Sequence, residues 1–262
     1  MFAVDIGNTF TRVVAFSGDA VRARRSFHTR DLDLKELMDA FDEMTVLTGS
    51  GRVWVASVNP RVNALVDSAA ERCGLDRHFI RPGSDFIMPH RLATPETTGV
   101  DRLLSAMAAG RRQVSGAERG RGYVVVQCGT AATVDLVDAE GVFRGGYILP
   151  GPTMWLTGVA VAAQLPDLSS ELPNFKEIWV GDNTRDAILH GMQVALPVAV
   201  ATAALLVNTE EGGVTSSGGT LPVVVTGGWG EAVLPYLRAR HHYDKDLLLH
   251  GIRLFAESKG AQ

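Results

Sequence analysis

The chain has 262 residues and a formal net charge of −4. This length suits one large domain or two of about 100–150 residues each. Apolar residues make up 46% of the chain and charged residues 21%, which is typical of a globular protein with a sizeable core. The acidic balance argues against a nucleic-acid or anionic-membrane partner, because both favour a basic patch.

Cysteine usage and the start of the sequence predict a cytoplasmic protein. Cys73 and Cys128 are too few for a disulfide framework and lack the spacing of a metal site. A charge at Asp5 leaves no room for a signal-peptide apolar segment. The apolar stretch 192–208 contains Pro197 and is shorter than a usual membrane span, which favours a buried or subunit-facing helix.

The first half of the chain reads as a β-hairpin followed by alternating helices and strands. Residues 2–9 predict a strand that runs into a tight turn, and residues 11–16 predict its partner. The elements expected next are a helix over 32–45, a strand over 53–58, and helices over 59–73 and about 100–113.

The pattern starts again after a charged, glycine-rich break around residues 115–122. A strand over 123–130 and its partner over 132–137 repeat the first hairpin. The repeat predicts two related α/β domains, 1–115 and 116–262, with the last helix a candidate to pack back on the first domain. The remaining elements expected are helices over 152–164 and 184–208, a strand over 222–226, and helices at each end of the stretch that follows.

Three glycine turns follow predicted strands, at Gly7-Asn8-Thr9, Gly129-Thr130 and Gly227-Gly228. Backbone N–H groups that converge in such turns hold phosphate well, and glycine permits a close approach. The first two turns would form two phosphate cradles, and Gly227-Gly228 could add a third beside the nucleotide base or ribose. An ordinary hairpin turn explains any one of them, whereas all three in order favour a nucleotide site. The tryptophans are expected to be packing residues, with Trp229 the candidate to lie beside an adenine.

Two acidic positions are candidates for chemistry. Asp5, at the end of the first strand, suits a hydrated Mg²⁺ that bridges nucleotide phosphates, although a turn-capping role is the alternative. Asp101 and Arg102 lie where a helix begins, and an acid there can simply stabilise the helix end. In the functional alternative, Asp101 is a general base toward an acceptor hydroxyl and Arg102 holds the substrate or the phosphoryl group.

Motifs along the whole chain resemble the successive signatures of type III pantothenate kinases. They are Asp5-Ile6-Gly7-Asn8-Thr9, Gly99-Val100-Asp101-Arg102, Gly129-Thr130, Gly145-Gly146-Tyr147-Ile148-Leu149-Pro150-Gly151, Gly181-Asp182-Asn183-Thr184 and Thr226-Gly227-Gly228. The resemblance implies two ribonuclease H-like (actin-like ATPase) domains with ATP bound in a central cleft. It also implies a homodimer with the pantothenate site near the subunit interface.

The same resemblance implies an activity and a set of site residues. The activity is ATP-dependent phosphorylation of pantothenate to 4′-phosphopantothenate, the first step of coenzyme A biosynthesis, by direct in-line transfer with Asp101 as proton acceptor. The residues that would border the ATP phosphates are Asp5, Ile6, Gly7, Asn8, Thr9, Phe10, Thr11 and Arg12, and Thr130 would also touch ATP. The residues that would contact pantothenate are Gly99, Val100, Asp101, Arg102 and Thr184.

Two positions depart from the family pattern. Gln127 stands where the family has an aspartate associated with a monovalent cation, K⁺ or NH₄⁺, and Leu92 stands where it often has a tyrosine. Both favour an alternative in which the chain is a catalytically impaired, nucleotide-binding regulatory or accessory protein, whereas the retained Asp5 and Asp101 oppose it. A small sugar or acid kinase of the same superfamily is a second alternative.

Overall fold

The computed structural model describes residues 1–113, 121–171, 174–210 and 220–260. From the first residue to the first gap the elements are β1 (Phe2–Ile6), β2 (Phe10–Ser17), β3 (Ala20–His28), α1 (Leu34–Thr48), β4 (Arg52–Ser57), α2 (Pro60–Arg72), β5 (Asp76–Phe79), a 3₁₀ turn (Pro95–Thr97) and α3 (Val100–Gln113). They are followed by β6 (Tyr123–Cys128), β7 (Ala131–Val137), β8 (Phe143–Pro150), α4 (Pro152–Ala163), α5 (Thr184–Glu210), β9 (Val223–Thr226), two 3₁₀ turns (Gly230–Ala232 and Leu234–Tyr236), β10 (His241–Tyr243) and α6 (Leu247–Ser258).

The chain divides into two compact units. The first comprises Met1–Pro89, Ala93–Arg111 and Leu247–Gln262, and the second comprises His90–Leu92 and Arg112–Asp246. The expected boundary at residues 115 and 116 lies outside the described residues.

The two units contain five-stranded sheets of the same topology. The strand order is β3-β2-β1-β4-β5 in the first sheet and β8-β7-β6-β9-β10 in the second. In each sheet the first three strands of the unit are antiparallel, and the last two run parallel to the central strand. The α/β prediction is therefore confirmed, and the shared topology is what the repeated hairpin predicts.

Local sequence signals explain the helices that cover one face of the first sheet. Asp33 and Glu36 form a capping box at the start of α1, and Gly49 ends it in the left-handed conformation. Asn59 caps α2, whose first residue is Pro60. Both helices pack against the apolar side of the sheet, because alternate residues of β1 point that way.

The opposite face of the first sheet is covered by α6. The edge of the Trp54 ring meets Phe255 of α6, with ring centroids 6.0 Å apart. Gly251 lies so close to the carbonyl of Leu104 in α3 that a Cβ would collide with it. The last helix of the chain thus belongs to the first unit.

The core of the second unit is built on α5, which packs on β6, β7 and β8 and against α4. Among the described residues, one helix, Thr184–Asn208, is long and apolar enough to cross a membrane by length and composition alone. Half of its apolar window is buried, and the core helix of a soluble protein passes the same test. Cys73 and Cys128 are both free thiols.

The structure differs from the sequence-based expectations mainly at short strands. Four strands were not predicted, namely β3, β5, β8 and β10. The helix expected directly after the third glycine turn is wrong, because that segment forms two 3₁₀ turns instead. Pro235 stands in the second of these turns, and proline lacks the N–H that a longer helix would need.

Candidate active site

The first glycine turn connects β1 to β2 in the first unit. The Gly7 N–H donates to the carbonyl of Phe10 over 3.0 Å, which closes the bend. A Cβ at Gly7 would approach that same carbonyl to 3.0 Å, so the turn favours a residue without a side chain. Asn8, Thr9 and Phe10 are exposed at the bend. The segment predicted to bind phosphate is therefore a tight turn with exposed residues at its bend.

Asp5 is a buried carboxylate paired with an arginine on the neighbouring strand. It is opposite Arg12 in the β1–β2 register, and the Arg12 guanidinium donates to Asp5 Oδ2 over 3.0 Å. Only 5% of Asp5 is exposed. Alternation along β1 places it on the face away from α1 and α2, because Val4 and Ile6 contribute to the core on that side.

The start of α3 supplies a second carboxylate to the same unit. A backbone hydrogen bond fixes the Asp101 side chain, because the N–H of the next residue, Arg102, donates to Asp101 Oδ1 over 3.0 Å. Gly99 lies so close that any Cβ there would collide with the Asp101 carboxylate. The expected helix start near residue 100 is confirmed, and the glycine of the Gly-x-Asp-Arg motif makes room for the candidate base.

The two carboxylates influence one another. Burial raises the pKa of Asp5 to about 6, and the negative charge of Asp101 acts in the same direction. The Arg12 guanidinium opposes this rise but does not cancel it. Within the part of the chain that the structure describes, only the Oδ2 atom of Asp5 is engaged by a hydrogen bond. A buried, partly compensated carboxylate suits a hydrated divalent cation, so Asp5 fits Mg²⁺.

The second glycine turn, between β6 and β7, is surrounded by glycines from distant motifs. Its Gly129 N–H donates to Ala131 O over 3.0 Å, and the Gly151 N–H donates to Thr130 O over 3.1 Å. A Cβ at Gly151 would collide with the carbonyls of Gly129 and Thr130, and one at Gly227 with the carbonyl of Cys128. Three motifs far apart in sequence therefore meet at one backbone turn.

The third glycine turn follows β9 and is fixed by aromatic side chains. Gly227 has a φ of 96°, which favours glycine. The Trp229 indole N–H donates to Gly129 O over 2.9 Å, and the Tyr243 hydroxyl donates to Gly227 O over the same distance. Trp229 is 9% exposed and stacks on Phe175, with ring centroids 5.9 Å apart. It is a packing residue, and little of its ring is left to face an adenine.

The remaining predicted site residues lie in the second unit. Thr184 is the exposed first residue of α5, where Asn183 Oδ1 accepts from the Asp186 N–H over 3.0 Å. Gly99-Val100-Asp101-Arg102 belongs to the first unit, so neither unit alone contains both parts of the predicted pantothenate site. Leu92 is half-buried beside Gly145, where a Cβ would approach its Cδ2 to 3.6 Å.

Gln127 occupies the position in β6 that corresponds to Asp5 in β1. Each residue is two positions before a turn glycine, but Gln127 lies opposite Thr133 and Thr226 in the two ladders, whereas Asp5 lies opposite Arg12. The Thr133 hydroxyl oxygen is buried with no hydrogen-bond partner among the described residues. A cation at this position would therefore find neutral oxygen ligands, the Gln127 carbonyl and threonine hydroxyls, and not the carboxylate of the family pattern.

The family model of type III pantothenate kinases matches residues 1–204. The chain belongs to the type III pantothenate kinase family. Curated relatives with that name include one from Rubrobacter xylanophilus, 31% identical over 97% of this chain and 96% of the relative. Another, from Mycolicibacterium smegmatis, is 30% identical over 100% of this chain and 96% of the relative.

Solved structures with the same fold include two nucleotide complexes. The activator of 2-hydroxyisocaproyl-CoA dehydratase from Clostridium difficile with bound ADPNP matches with a TM-score of 0.51 and 14% identity, over 99% of this chain and 96% of that chain. MreB5 of Spiroplasma citri bound to ADP matches with a TM-score of 0.54 and 10% identity, over 98% and 96%. The expected actin-like ATPase fold and family membership are both confirmed.

We predict that Asp5→Asn flattens the pH dependence of stability in this pantothenate kinase family member. The folded-state pKa of about 6 lies above the ordinary value of about 3.9, so protonated Asp5 contributes stability at low pH that is lost as the pH rises through 6. Between about pH 4 and pH 7.5 the unmodified protein should lose about 1–3 kcal/mol of unfolding free energy relative to the variant.

Urea titrations at several pH values, without nucleotide or metal, measure this difference. The exposed Glu140→Gln is the matched control, and its profile should run parallel to that of the unmodified protein. If the stability profile of Asp5→Asn also ran parallel to that of the unmodified protein, the raised pKa of the buried Asp5 would be contradicted.

Proposed function

We propose that this protein transfers the γ-phosphoryl group of ATP to the primary hydroxyl of pantothenate. The product would be 4′-phosphopantothenate, formed in the first step of coenzyme A biosynthesis. Family membership and the fold support ATP and a divalent cation as the general requirements. The observation that carries the proposal is the carboxylate of Asp101, held over Gly99 at the start of α3 beside the Asp5 carboxylate.

In the proposed reaction the pantothenate oxygen attacks the γ-phosphorus, the bond to the bridging oxygen breaks, and ADP leaves. Asp101 accepts the hydroxyl proton, and Arg102 holds the acceptor or the phosphoryl group. The N–H groups of the glycine turns stabilise the charge on the phosphates. Mg²⁺, held through water by Asp5, would supply further neutralisation of the phosphate charge.

Asp101→Asn should reduce kcat by about 10²- to 10⁴-fold, because it removes the proton acceptor while keeping the side-chain shape. The affinity for MgADP should change by less than about threefold, since Asp101 is assigned to the acceptor and not to the nucleotide. A coupled ADP-release assay with pantothenate and MgATP gives kcat, and calorimetry gives the nucleotide affinity.

The exposed Glu96→Gln, in the 3₁₀ turn before α3, is the control and should keep full turnover. If Asp101→Asn kept turnover near that of the unmodified protein, the proposed role of Asp101 as proton acceptor would be contradicted. Nucleotide binding without turnover of pantothenate in the unmodified protein would favour the regulatory alternative, and turnover of a sugar or a small acid instead would favour the other kinase alternative.

We infer that the reaction of this chain depends weakly, or not at all, on K⁺ or NH₄⁺. Gln127, Thr133 and Thr226 present only neutral side chains to one another in the β6 ladders. A carboxylate at position 127 would attract a monovalent cation by about 4 kcal/mol at 4 Å and an effective dielectric of about 20, before desolvation. Position 127 itself supplies no such attraction, and the buried carboxylate of Asp135 lies two residues along β7 from Thr133.

Turnover of the unmodified protein should therefore agree within about twofold between KCl and tetramethylammonium chloride. Gln127→Asp should gain stimulation by K⁺, whereas Gln127→Asn, which keeps a neutral amide, should not. Strong K⁺ dependence of the unmodified enzyme would contradict the role given to Gln127. A K⁺ titration of Gln127→Asp in the same assay shows whether a carboxylate at this position creates a dependence on K⁺.

We also propose a cytoplasmic homodimer that associates through the second unit. Its helices expose large apolar side chains, and such patches favour association. The exposed residues are Met154 and Val161 of α4, and Val194, Val198, Leu205 and Leu206 of α5. Val194, Val198 and Leu205 share one helix face, because residues four and eleven positions apart lie within about 40° of each other.

Glutamates at Val194 and Val198 should convert the dimer into a monomer of 28.1 kDa, since a buried carboxylate is costly at an apolar interface. Light scattering after gel filtration measures the mass. Val46→Glu, on an exposed valine of α1 in the first unit, is the matched control and should leave the dimer intact. A monomeric unmodified protein at micromolar concentration would overturn this proposal.

A further inference from the structure

The three glycine turns share a feature that their motifs do not contain. In each turn the glycine carbonyl accepts a hydrogen bond from a side chain of a different element. Thr29 Oγ1 donates to Gly7 O over 2.9 Å. The Trp229 indole donates to Gly129 O and the Tyr243 hydroxyl to Gly227 O, each over 2.9 Å.

A hydrogen bond to a peptide carbonyl also fixes the N–H of the next residue. In a planar trans peptide the C=O of one residue and the N–H of the following residue point in opposite directions. The carbonyls of Gly7, Gly129 and Gly227 are each held by a side chain, so the following N–H groups point away from those side chains. Two of the residues that follow, Asn8 and Gly228, are exposed. The third, Thr130, is half-buried.

The contact at the first turn is the most elaborate. Thr29 lies directly after β3, and its backbone N–H donates to Thr9 O over 2.9 Å. Its hydroxyl proton is used on Gly7 O, so the Thr11 hydroxyl, 3.0 Å away, donates to the Thr29 oxygen. Both threonines are buried, which strengthens the bonds by excluding water. One residue thus fixes both sides of the bend, Gly7 through its hydroxyl and Thr9 through its backbone N–H.

In the second unit, Gly227 O accepts two hydrogen bonds, and Gly129 O accepts one from the Trp229 side chain. The Trp229 side chain is immobilised by burial and by its stack on Phe175. Gly227 O receives a second hydrogen bond from the Gly230 N–H over 3.1 Å, so it keeps one donor if the Tyr243 hydroxyl is lost. Burial raises the pKa of Tyr243, which keeps its phenol protonated as a donor at neutral pH.

We propose that Thr29, Trp229 and Tyr243 are positioning residues. Each fixes the N–H group that follows the glycine of its own turn, in Asn8, Thr130 or Gly228, for contact with bound nucleotide. They act through the backbone and touch no substrate themselves. The proposal rests on the proposed function only in so far as the nucleotide binds at these turns. The test is the affinity for nucleotide, which does not depend on the acceptor that the enzyme phosphorylates.

The first test is the isosteric pair Thr29→Val and Thr29→Ser. Thr29→Val should weaken MgADP binding by about 3- to 10-fold, the loss expected for one hydrogen bond, and raise KM for ATP similarly. KM for pantothenate should stay within twofold. Thr29→Ser keeps the hydroxyl and should bind MgADP like the unmodified protein. Trp229→Phe should resemble Thr29→Val, and Tyr243→Phe should have a smaller effect because Gly227 O keeps its second donor.

Controls separate positioning from general stability. Thr45→Val removes a buried hydroxyl that has no hydrogen-bond partner among the described residues, and Tyr236→Phe removes a phenol on an exposed 3₁₀ turn. Both should leave MgADP affinity unchanged. A lower melting temperature with unchanged MgADP affinity in Thr29→Val and Tyr243→Phe would overturn the proposal, and so would an equal rise of both KM values. If Thr29→Val does not fold, Trp229→Phe, which is expected to weaken MgADP binding to the same extent, decides the outcome.

If the unmodified protein binds MgADP but does not phosphorylate pantothenate, the proposed function fails, and the affinity comparison still tests the positioning residues. If it phosphorylates pantothenate and the three variants bind MgADP normally, only the positioning role is wrong.

Discussion

The buried carboxylate of Asp5 is the constraint on which the first unit depends. It faces away from the apolar core because alternate residues of β1 must fill that core. Burial disfavours its charge, and Arg12, directly across the ladder, compensates in part. The nearby Asp101 opposes ionisation again. The first unit therefore keeps a buried acid near the half-buried Asp101, and a cation held by Asp5 would relieve the conflict.

Glycine carries a different constraint in the second unit. Gly151 and Gly227 are required by backbone carbonyl groups that occupy the space of a Cβ. Of these two, only Gly227 has a positive φ. Backbone flexibility is thus not the reason that these glycines share. They allow segments that are distant in sequence to approach a turn closely enough to shape it.

The sequence indicated the repeated hairpins, the long helices and the start of α3, because hydrophobic periodicity and capping residues encode them locally. The short strands could not be predicted from the sequence as well as the long elements. β3 carries three arginines, β5 is largely polar, and β10 has only three residues, so none shows a clear apolar alternation. Thr29 and Tyr243 could not be found from local pattern, since each acts on a turn that the tertiary fold brings beside it.

The internal repeat shows how the two halves have diverged. Asp5 and Gln127 occupy corresponding positions, but Asp5 lies opposite Arg12 and Gln127 opposite Thr133. At this position the first unit thus has a charged pair, and the second unit has neutral side chains. In the proposed reaction, fixed dipoles act on the phosphates, and ionised groups act on the proton and the metal. A neutral Gln127 supplies no charge for a monovalent cation in that reaction, but Asp5, Asp101 and the glycine turns keep their proposed roles.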